Sequence, residues 1–183
     1  GLGDVYKRQQ HVELTRKIAR LFNNKFGQTF PEPEVLLTRT PKIMSLSDPI
    51  KKMSKSLGPK SYIALVDEPE IIKRKLAKAV TDTGKGTKSP GVINLFLLLS
   101  EFAPKSILQQ FEREHHSGKI SYQKLKEVLS TIIADHFSEF RKKRKELAKS
   151  PDQVKKILEQ GNQKAQEIAS QTLAEVKKKI GLA

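Results

Sequence analysis

The 183-residue chain contains no cysteine and no tryptophan, and aromatic side chains make up only 6% of it. Without cysteine there can be no disulfide scaffold, no thiolate metal site and no thiol nucleophile. No run of eighteen apolar residues occurs, so no transmembrane helix is expected, and the N-terminus lacks the apolar segment of a signal peptide. Acidic residues are also scarce relative to basic ones: 20 Asp+Glu against 35 Lys+Arg, a formal net charge of +15. That surplus favours polyanionic partners such as nucleic acid, phosphate-rich ligands or an anionic membrane, and is silent on fold. The hydrophobic fraction of 37% is enough for a core, and the length suits one large domain or two small ones.

Residues 1–9, GLGDVYKRQ, have no clear period and read as a non-native leader. Position 1 is not methionine, so the chain is expected to be a piece of something longer. From Gln10 to Phe26 apolar residues recur at helical spacing, and Gly27 is a suitable stop. Val35 to Leu37 is a short apolar run that reads as a buried strand. Residues 40–61, rich in Lys and Ser with Pro41, Pro49, Gly58 and Pro59, form a long polar loop, a type that is usually functional.

A helix is predicted over 68–80, with Asp67 as N-cap and Glu70 completing a capping box. Residues 81–91 (TDTGKGTKSPG) make a second loop and a candidate domain boundary. Helices are predicted beyond it at 92–101, 104–116, 121–149 and 151–180, the last opening on Ser150-Pro151 and closing at Gly181. Gly161 sits inside that last helix, where a close approach of another helix would explain it. This half reads as an antiparallel helical bundle.

The informative segment is Lys52-Met53-Ser54-Lys55-Ser56. Two lysines three apart on a loop, with small hydroxyl residues between, can converge on a polyphosphate. Donors that meet charge growing on a leaving pyrophosphate stabilise the transition state more than the ground state. A solvated basic loop is the plain alternative.

This pentapeptide, KMSKS, is the signature loop of class I aminoacyl-tRNA synthetases. The longer run IMSLSDPIKKMSKS, Ile43 to Ser56, resembles the tryptophanyl-tRNA synthetase form of that loop. AVTDTG at 79–84, SPGVINL at 89–95 and QHVELTRKIA at 10–19 are similar to further segments of that family. So is the ending with Gly161, Lys164, Ala165, Ala169, Leu173 and Gly181-Leu182. The resemblance covers nearly all of Gln10 to Ala183, and identifies the chain as the C-terminal half of a bacterial-type member.

The resemblance implies a mainly α fold: the C-terminal remnant of a Rossmann-like α/β catalytic domain over 10–85, then a helical anticodon-binding domain over 86–183. It implies that Lys52 and Lys55 contact the ATP phosphates, Lys55 above all stabilising pyrophosphate. Ser54 and Ser56 would donate hydrogen bonds and Met53 would pack the loop. Ile43 matches a position whose backbone lies beside adenine; a simple core isoleucine is the other reading. The implied activity is ATP-dependent activation of L-tryptophan and its transfer to tRNA-Trp, in the cytoplasm, with Mg²⁺ on the nucleotide and a homodimeric parent. Two departures stand out. The family's HxGH-type motif is absent, since His11, His115, His116 and His136 fall in no such pattern, so the chain alone is expected to be inactive. Where the family often has Asp-Pro after the motif, this chain has Leu57-Gly58.

Other features are less specific. Arg141, Lys142, Lys143, Arg144 and Lys145 are five consecutive cations, read either as a solvated face or as tRNA phosphate contacts. Lys177 to Lys179 suit a helix C-terminus whatever the function. His115-His116 lacks a third ligand, so no metal site is expected. His11 is read as a helix-opening residue, and Phe137 and Phe140 as core. Two further functions stay open: a non-catalytic basic RNA-binding fragment, and a tyrosyl-tRNA synthetase.

Overall fold

The computed structural model describes residues 2–36, 42–81 and 89–182, with side chains from Gln9 onward. Seven α-helices occur among the described residues: α1 (Leu2–Phe26), α2 (Pro69–Ala77), α3 (Pro90–Phe102), α4 (Lys105–His116), α5 (Tyr122–His136), α6 (Ser138–Ala148) and α7 (Pro151–Ile180). The mainly α expectation is met. The chain divides into two compact units, one made of residues 1–39 with 146–183, the other of residues 40–145. The boundary drawn at 85/86 lies outside the described residues.

In the first unit, α1 begins at Leu2, so His11 lies inside the helix rather than opening it; its carbonyl accepts a hydrogen bond from Thr15 Oγ1. Gly27 ends α1 with φ +83, and its N–H donates to Asn23 O at 2.9 Å. The Asn23 side chain then holds the following loop: Oδ1 accepts from the N–H groups of Thr29 and Phe30, and Nδ2 donates to Phe30 O. Phe30 packs edge-on to Phe22, ring centres 5.0 Å apart. The strand expected at 35–37 does not form over Val35 and Leu36, and Leu37 lies outside the described residues. Leu36 is 97% exposed, so no partner covers the apolar run that suggested burial.

α7 follows the predicted bounds of 151–180 and ends at Gly181 in the left-handed region, φ 80 and ψ 25. Its apolar stripe, however, buries no residue fully. A Cβ on Gly161 would meet nothing within 4 Å, which overturns the idea of a close helix neighbour there. Near its end, Lys179 Nζ donates to Gln28 O and Thr29 Oγ1, both at 2.7 Å, tying α7 to the loop after α1.

In the second unit, α2, α3, α4 and α5 enclose one core. Ile72 and Leu76 from α2, Leu95 and Leu99 from α3, Phe111 from α4, and Leu125, Leu129 and Ile133 from α5 are almost wholly buried. Burying a Leu, Ile or Phe is worth about 1.5–3 kcal/mol each, so this cluster dominates the unit's stability. α2 starts one residue later than the predicted cap. Glu68 occupies the N-cap position and Pro69 the first turn, where its missing N–H is no loss. Asp67 instead ties the preceding turn to the helix, its Oδ2 accepting from Ala64 N–H at 2.9 Å and from Lys75 Nζ at 2.6 Å. Lys126 of α5 closes the other end of α2, donating to Ala79 O at 2.7 Å and Ala77 O at 3.4 Å. Burial there pushes the Lys126 ammonium below its usual range.

The long helix expected over 121–149 is broken at Phe137, between α5 and α6. Ile133, Phe137 and Arg141 follow at four-residue spacing, and it is Arg141 that turns inward, its guanidinium donating to the Ala134 carbonyl. Phe137 packs on the core as expected, 5.7 Å from the Phe102 ring. Phe140 is 43% exposed and is not a core residue, because Arg141 occupies the inward position instead.

Candidate functional site

The segment from Ile43 to Ser61 is built as a small hydrogen-bonded frame without a named strand. Ser45 N–H donates to Lys51 O at 2.8 Å and Met53 N–H to Ile43 O at 2.9 Å, and Met44 and Lys52 form an isolated antiparallel bridge. The tip is a turn at Asp48-Pro49-Ile50-Lys51. It is closed by Lys51 N–H to Asp48 O, by the Lys51–Asp48 ion pair at 2.9 Å, and by Ser45 Oγ accepting from Asp48 N–H. Leu46, 1% exposed, fastens the frame to the core; its N–H donates to Ser61 O and its C=O accepts from Val80 N–H.

A helix supplies the other wall. Asn94, on the apolar α3, is 3% exposed; its Oδ1 accepts from Met44 N–H and its Nδ2 donates to Met44 O, each at 2.9 Å. Gly91, one turn earlier, lets α3 approach the chain at 80–81: a Cβ there would lie 2.3 Å from Val80 O and 2.4 Å from Thr81 O. Ser89 Oγ adds a bond to Thr81 O at 2.9 Å. The TDTG part of that loop beyond Thr81 lies outside the described residues.

The KMSKS pentapeptide leaves this frame as a cap and a 3₁₀ turn, Lys55–Leu57. Ser54 is the N-cap: its Oγ accepts from Ser56 N–H at 3.3 Å and pairs with Ser56 Oγ at 2.8 Å. Gly58 closes the turn, its N–H donating to Lys55 O, with φ 88 and ψ 167. Ser61, fully buried, shares its hydroxyl proton between Ser54 O and Gly58 O, each at 2.7 Å.

The structure places the sequence-derived residues at different depths. Ile43 and Met53 are half-buried against the core. Lys52 and Ser54 are half-buried, while Lys55 and Ser56 are exposed. A rigid base therefore ends in an exposed ammonium and two hydroxyls on one tight turn, a geometry able to offer several donors to one anion. Sequence reasoning missed Asn94 and Ser61, which hold the loop. A lone Asn in the apolar run GVINLFLLL is a readable signal; Ser61 had none.

The basic run is not one surface. Arg141 is buried, so it does not share the exposure of Lys142, Lys143, Arg144 and Lys145. Lys145 pairs with Glu68 at 2.7 Å, and that hydrogen bond, against a desolvation penalty, holds the Glu68 carboxyl below its ordinary value. His115 Nδ1 lies 3.1 Å from Tyr122 Oη and its ring 5.0 Å from Phe96, a packed and paired environment.

A KMSKS turn mounted on a helical core defines a class I aminoacyl-tRNA synthetase scaffold. The chain belongs to the family described as "tRNA synthetases class I (W and Y)", which matches residues 8–150. Among curated relatives, it is 38% identical to the tryptophan–tRNA ligase of Caldanaerobacter subterraneus subsp. tengcongensis, over 95% of this chain and 54% of that protein. It is also 38% identical to the tryptophan–tRNA ligase of Clostridium acetobutylicum, over 94% of this chain and 52% of that one. The fold matches the crystal structure of tryptophanyl-tRNA synthetase from Mycoplasma pneumoniae with a TM-score of 0.76 and 30% identity, over 96% of this chain and 54% of that one. The Campylobacter jejuni tryptophanyl-tRNA synthetase, complexed with ADP and tryptophan, matches with a TM-score of 0.71 and 28% identity, over 96% and 55% of the two chains. The chain thus spans about half the length of the curated relatives it matches.

Proposed function

We propose that this chain is the KMSKS-bearing C-terminal half of a tryptophan–tRNA ligase. The whole protein would activate L-tryptophan with ATP and then transfer it to tRNA-Trp. The observation that carries the reading is the KMSKS turn on its Asn94- and Ser61-held frame, in a chain related to proteins named tryptophan–tRNA ligases. Those names disfavour the tyrosine alternative.

In the proposed mechanism the turn is a phosphate clamp. Lys55, exposed on the 3₁₀ turn, would meet the charge that develops on pyrophosphate as the tryptophan carboxylate attacks the α-phosphate. Lys52, nearer the frame, would hold the phosphates in the ground state. The hydroxyls of Ser54 and Ser56 would add neutral donors, Met53 would anchor the loop through its core contact, and the Ile43 backbone would stand beside adenine. Mg²⁺ would ride on the nucleotide phosphates. No group of three His, Asp or Glu among the described residues offers it a cage, and an ion held by substrate phosphates needs none.

The proposed arrangement continues to the rest of the chain. Residues 10–85 would complete the catalytic domain and 86–183 would form the anticodon-binding part, with Lys142, Lys143, Arg144 and Lys145 facing tRNA phosphates. We place the parent in the cytoplasm as a homodimer. No described helix is long and apolar enough to cross a membrane.

The reading can be tested with a graft of residues 10–183 onto the N-terminal half of the Caldanaerobacter relative. A folded graft is expected to support tryptophan-dependent ATP–pyrophosphate exchange. Lys55→Ala in it should slow adenylate formation by about 10²–10³-fold, the loss typical of one transition-state donor. Exchange driven by tyrosine, or a folded graft without exchange, would overturn the reading. The chain alone should show no exchange, and activity there would refute the assignment of half-enzyme.

A further inference from the structure

The carbonyls at the C-terminal end of α2 are capped from another helix. The last carbonyls of any helix lack partners within it. Here Lys126 Nζ, from α5, donates to Ala79 O at 2.7 Å and to Ala77 O at 3.4 Å, while Thr81 Oγ1 reaches the Ala79 oxygen only at 3.4 Å. α2 has cations of its own in its last turn, Arg74 and Lys75, the usual source of such a cap. Lys75 is turned instead to Asp67, at 2.6 Å. The capping lysine lies 47 residues beyond Ala79, and the wholly buried Leu125 and Leu129 fix the stretch of α5 that carries it.

The Ala79 carbonyl belongs to the same planar peptide unit as the Val80 N–H, which donates to Leu46 O at 2.8 Å. In a trans peptide the two groups point in opposite directions, so Lys126 and Leu46 hold one rigid plate by its two edges. An ammonium on the carbonyl also polarises the amide and strengthens its N–H as a donor. Beyond Leu46 the bonding continues: its N–H donates to Ser61 O at 2.9 Å, and Ser61 Oγ donates to Ser54 O and Gly58 O, on either side of the 3₁₀ turn. A continuous series of hydrogen bonds thus runs from α5 to the KMSKS turn, all of it within the second compact unit. Asn94 of α3 holds Met44 of the frame directly; Lys126 of α5 holds Leu46 through this plate.

We propose that Lys126 is a positioning residue for the KMSKS turn, acting through the 79–80 peptide to hold Lys55 where the phosphates are met. What the turn does rests on the proposed ligase reading; what Lys126 holds rests on the hydrogen bonds alone. Without the ammonium the 79–80 plate keeps its tether to Leu46 but loses the one to α5. It can then tilt, and Leu46, Ser61 and the turn follow it. Lys126 acts through other residues rather than on substrate, so its loss should lower turnover through Lys55 and leave tryptophan binding unchanged. The place of the turn is then set by α5 as well as by the segment that carries it.

The first measurement is amide exchange in the 183-residue chain. Lys126→Met keeps an unbranched stem and removes the donor. It is expected to speed exchange of the Val80 amide by about tenfold or more, with smaller rises from Ser54 to Ser61, while Ile133 in the core of α5 stays within about twofold. Lys126→Arg, which keeps a donor, should restore Val80. The second measurement is made on the graft described above. Lys126→Met should lower kcat for tryptophan-dependent adenylate formation by about 10–10²-fold, the loss that follows from a displacement near 1 Å, with the KM for tryptophan within about threefold of the parent. In the Lys55→Ala background the same substitution should cost less than about threefold, because the group it positions is already gone. A merely structural role would give equal losses in both backgrounds, and that result would overturn the proposal. So would a Val80 amide that exchanges no faster in Lys126→Met than in the parent, whether or not the graft is active. A folded graft without any exchange would overturn the ligase reading instead, and the Val80 and Ser54–Ser61 amides would still decide whether Lys126 holds the turn.

Discussion

Asn94 lends its carboxamide to Met44 as if it were a neighbouring strand: Oδ1 takes the Met44 N–H and Nδ2 reaches the Met44 carbonyl, both at 2.9 Å. Met44 has only an isolated bridge to Lys52 on its other side, so α3 completes the hydrogen bonding that a sheet would otherwise supply. Asn94→Ala should therefore leave two main-chain groups unpaired in a poorly solvated place. The expected cost is about 2–3 kcal/mol in urea unfolding. Amide exchange over 43–53 should accelerate with it. Asn94→Asp keeps the acceptor but turns a carboxylate oxygen toward the buried Met44 carbonyl, so at neutral pH it should cost at least as much as Ala. An Ala variant of parental stability would show that the loop stands without α3.

Gly58 tests the turn itself. Its φ of 88 with ψ of 167 lies in a region almost closed to residues with a Cβ, yet a Cβ there would touch nothing within 4 Å. Gly58→Ala should cost roughly 1–3 kcal/mol through the backbone alone. Gly58→Pro should do worse, because proline fixes φ near −65°. This gives the departure at Leu57-Gly58 a physical content: the path out of the KMSKS turn is one proline cannot follow. The loss should appear as local exchange of the amides from Ser54 to Ser61, and an Ala variant indistinguishable from the parent there would refute the left-handed geometry.

How much of this was legible in the sequence varies with the kind of signal. Helix ends marked by Gly27 and Gly181, and the start at Pro151, were readable because glycine and proline restrict the backbone locally. The KMSKS residues were legible as a motif. The frame beneath them was legible only in part: a lone Asn94 in an apolar run marks itself but not its partner 50 residues away, and Ser61, bonded seven residues back, carries no signal. Periodicity misled at Phe140, because a break at Phe137 and the inward turn of Arg141 changed which residue follows the stripe. It misled at α7 as well, where the stripe is amphipathic but fully buries nothing. A period shows which face is apolar; what covers that face is a tertiary fact.

The Glu68–Lys145 pair gives a prediction in pH. Lys145's hydrogen bond lowers the Glu68 carboxyl from the ordinary 4.5, assisted by its charge and that of Arg141. A carboxylate lowered on folding contributes stability that is present above its unfolded value and is lost as pH falls through its folded value. Glu68 should therefore titrate below its ordinary 4.5 in carbon-detected NMR, and Lys145→Gln should return most of that shift. The pair is exposed, so the midpoint should also rise toward the ordinary value in high salt. A Glu68 midpoint unmoved by Lys145→Gln would break the assignment of partner.

Two glycines in helices carry opposite expectations. At Gly91 an added Cβ would sit 2.3 Å from Val80 O and 2.4 Å from Thr81 O, both main-chain atoms that cannot rotate away. At Gly161, inside α7, the same Cβ meets nothing within 4 Å. Gly91→Ala must push α3 off the 80–81 segment, and that movement strains the Val80 N–H bond to Leu46 O and the Asn94 bonds to Met44 together. A loss of roughly 3–5 kcal/mol is expected, the range reserved for changes that break packing and buried hydrogen bonds at once. Gly161→Ala should instead stabilise by about 0.5–1 kcal/mol, since alanine surrenders less backbone freedom in a helix. Thermal unfolding of the two variants beside the parent checks both signs. Equal and small effects would mean that α3 does not approach Val80 as closely as its glycine allows, and the frame under the KMSKS turn would then need another explanation.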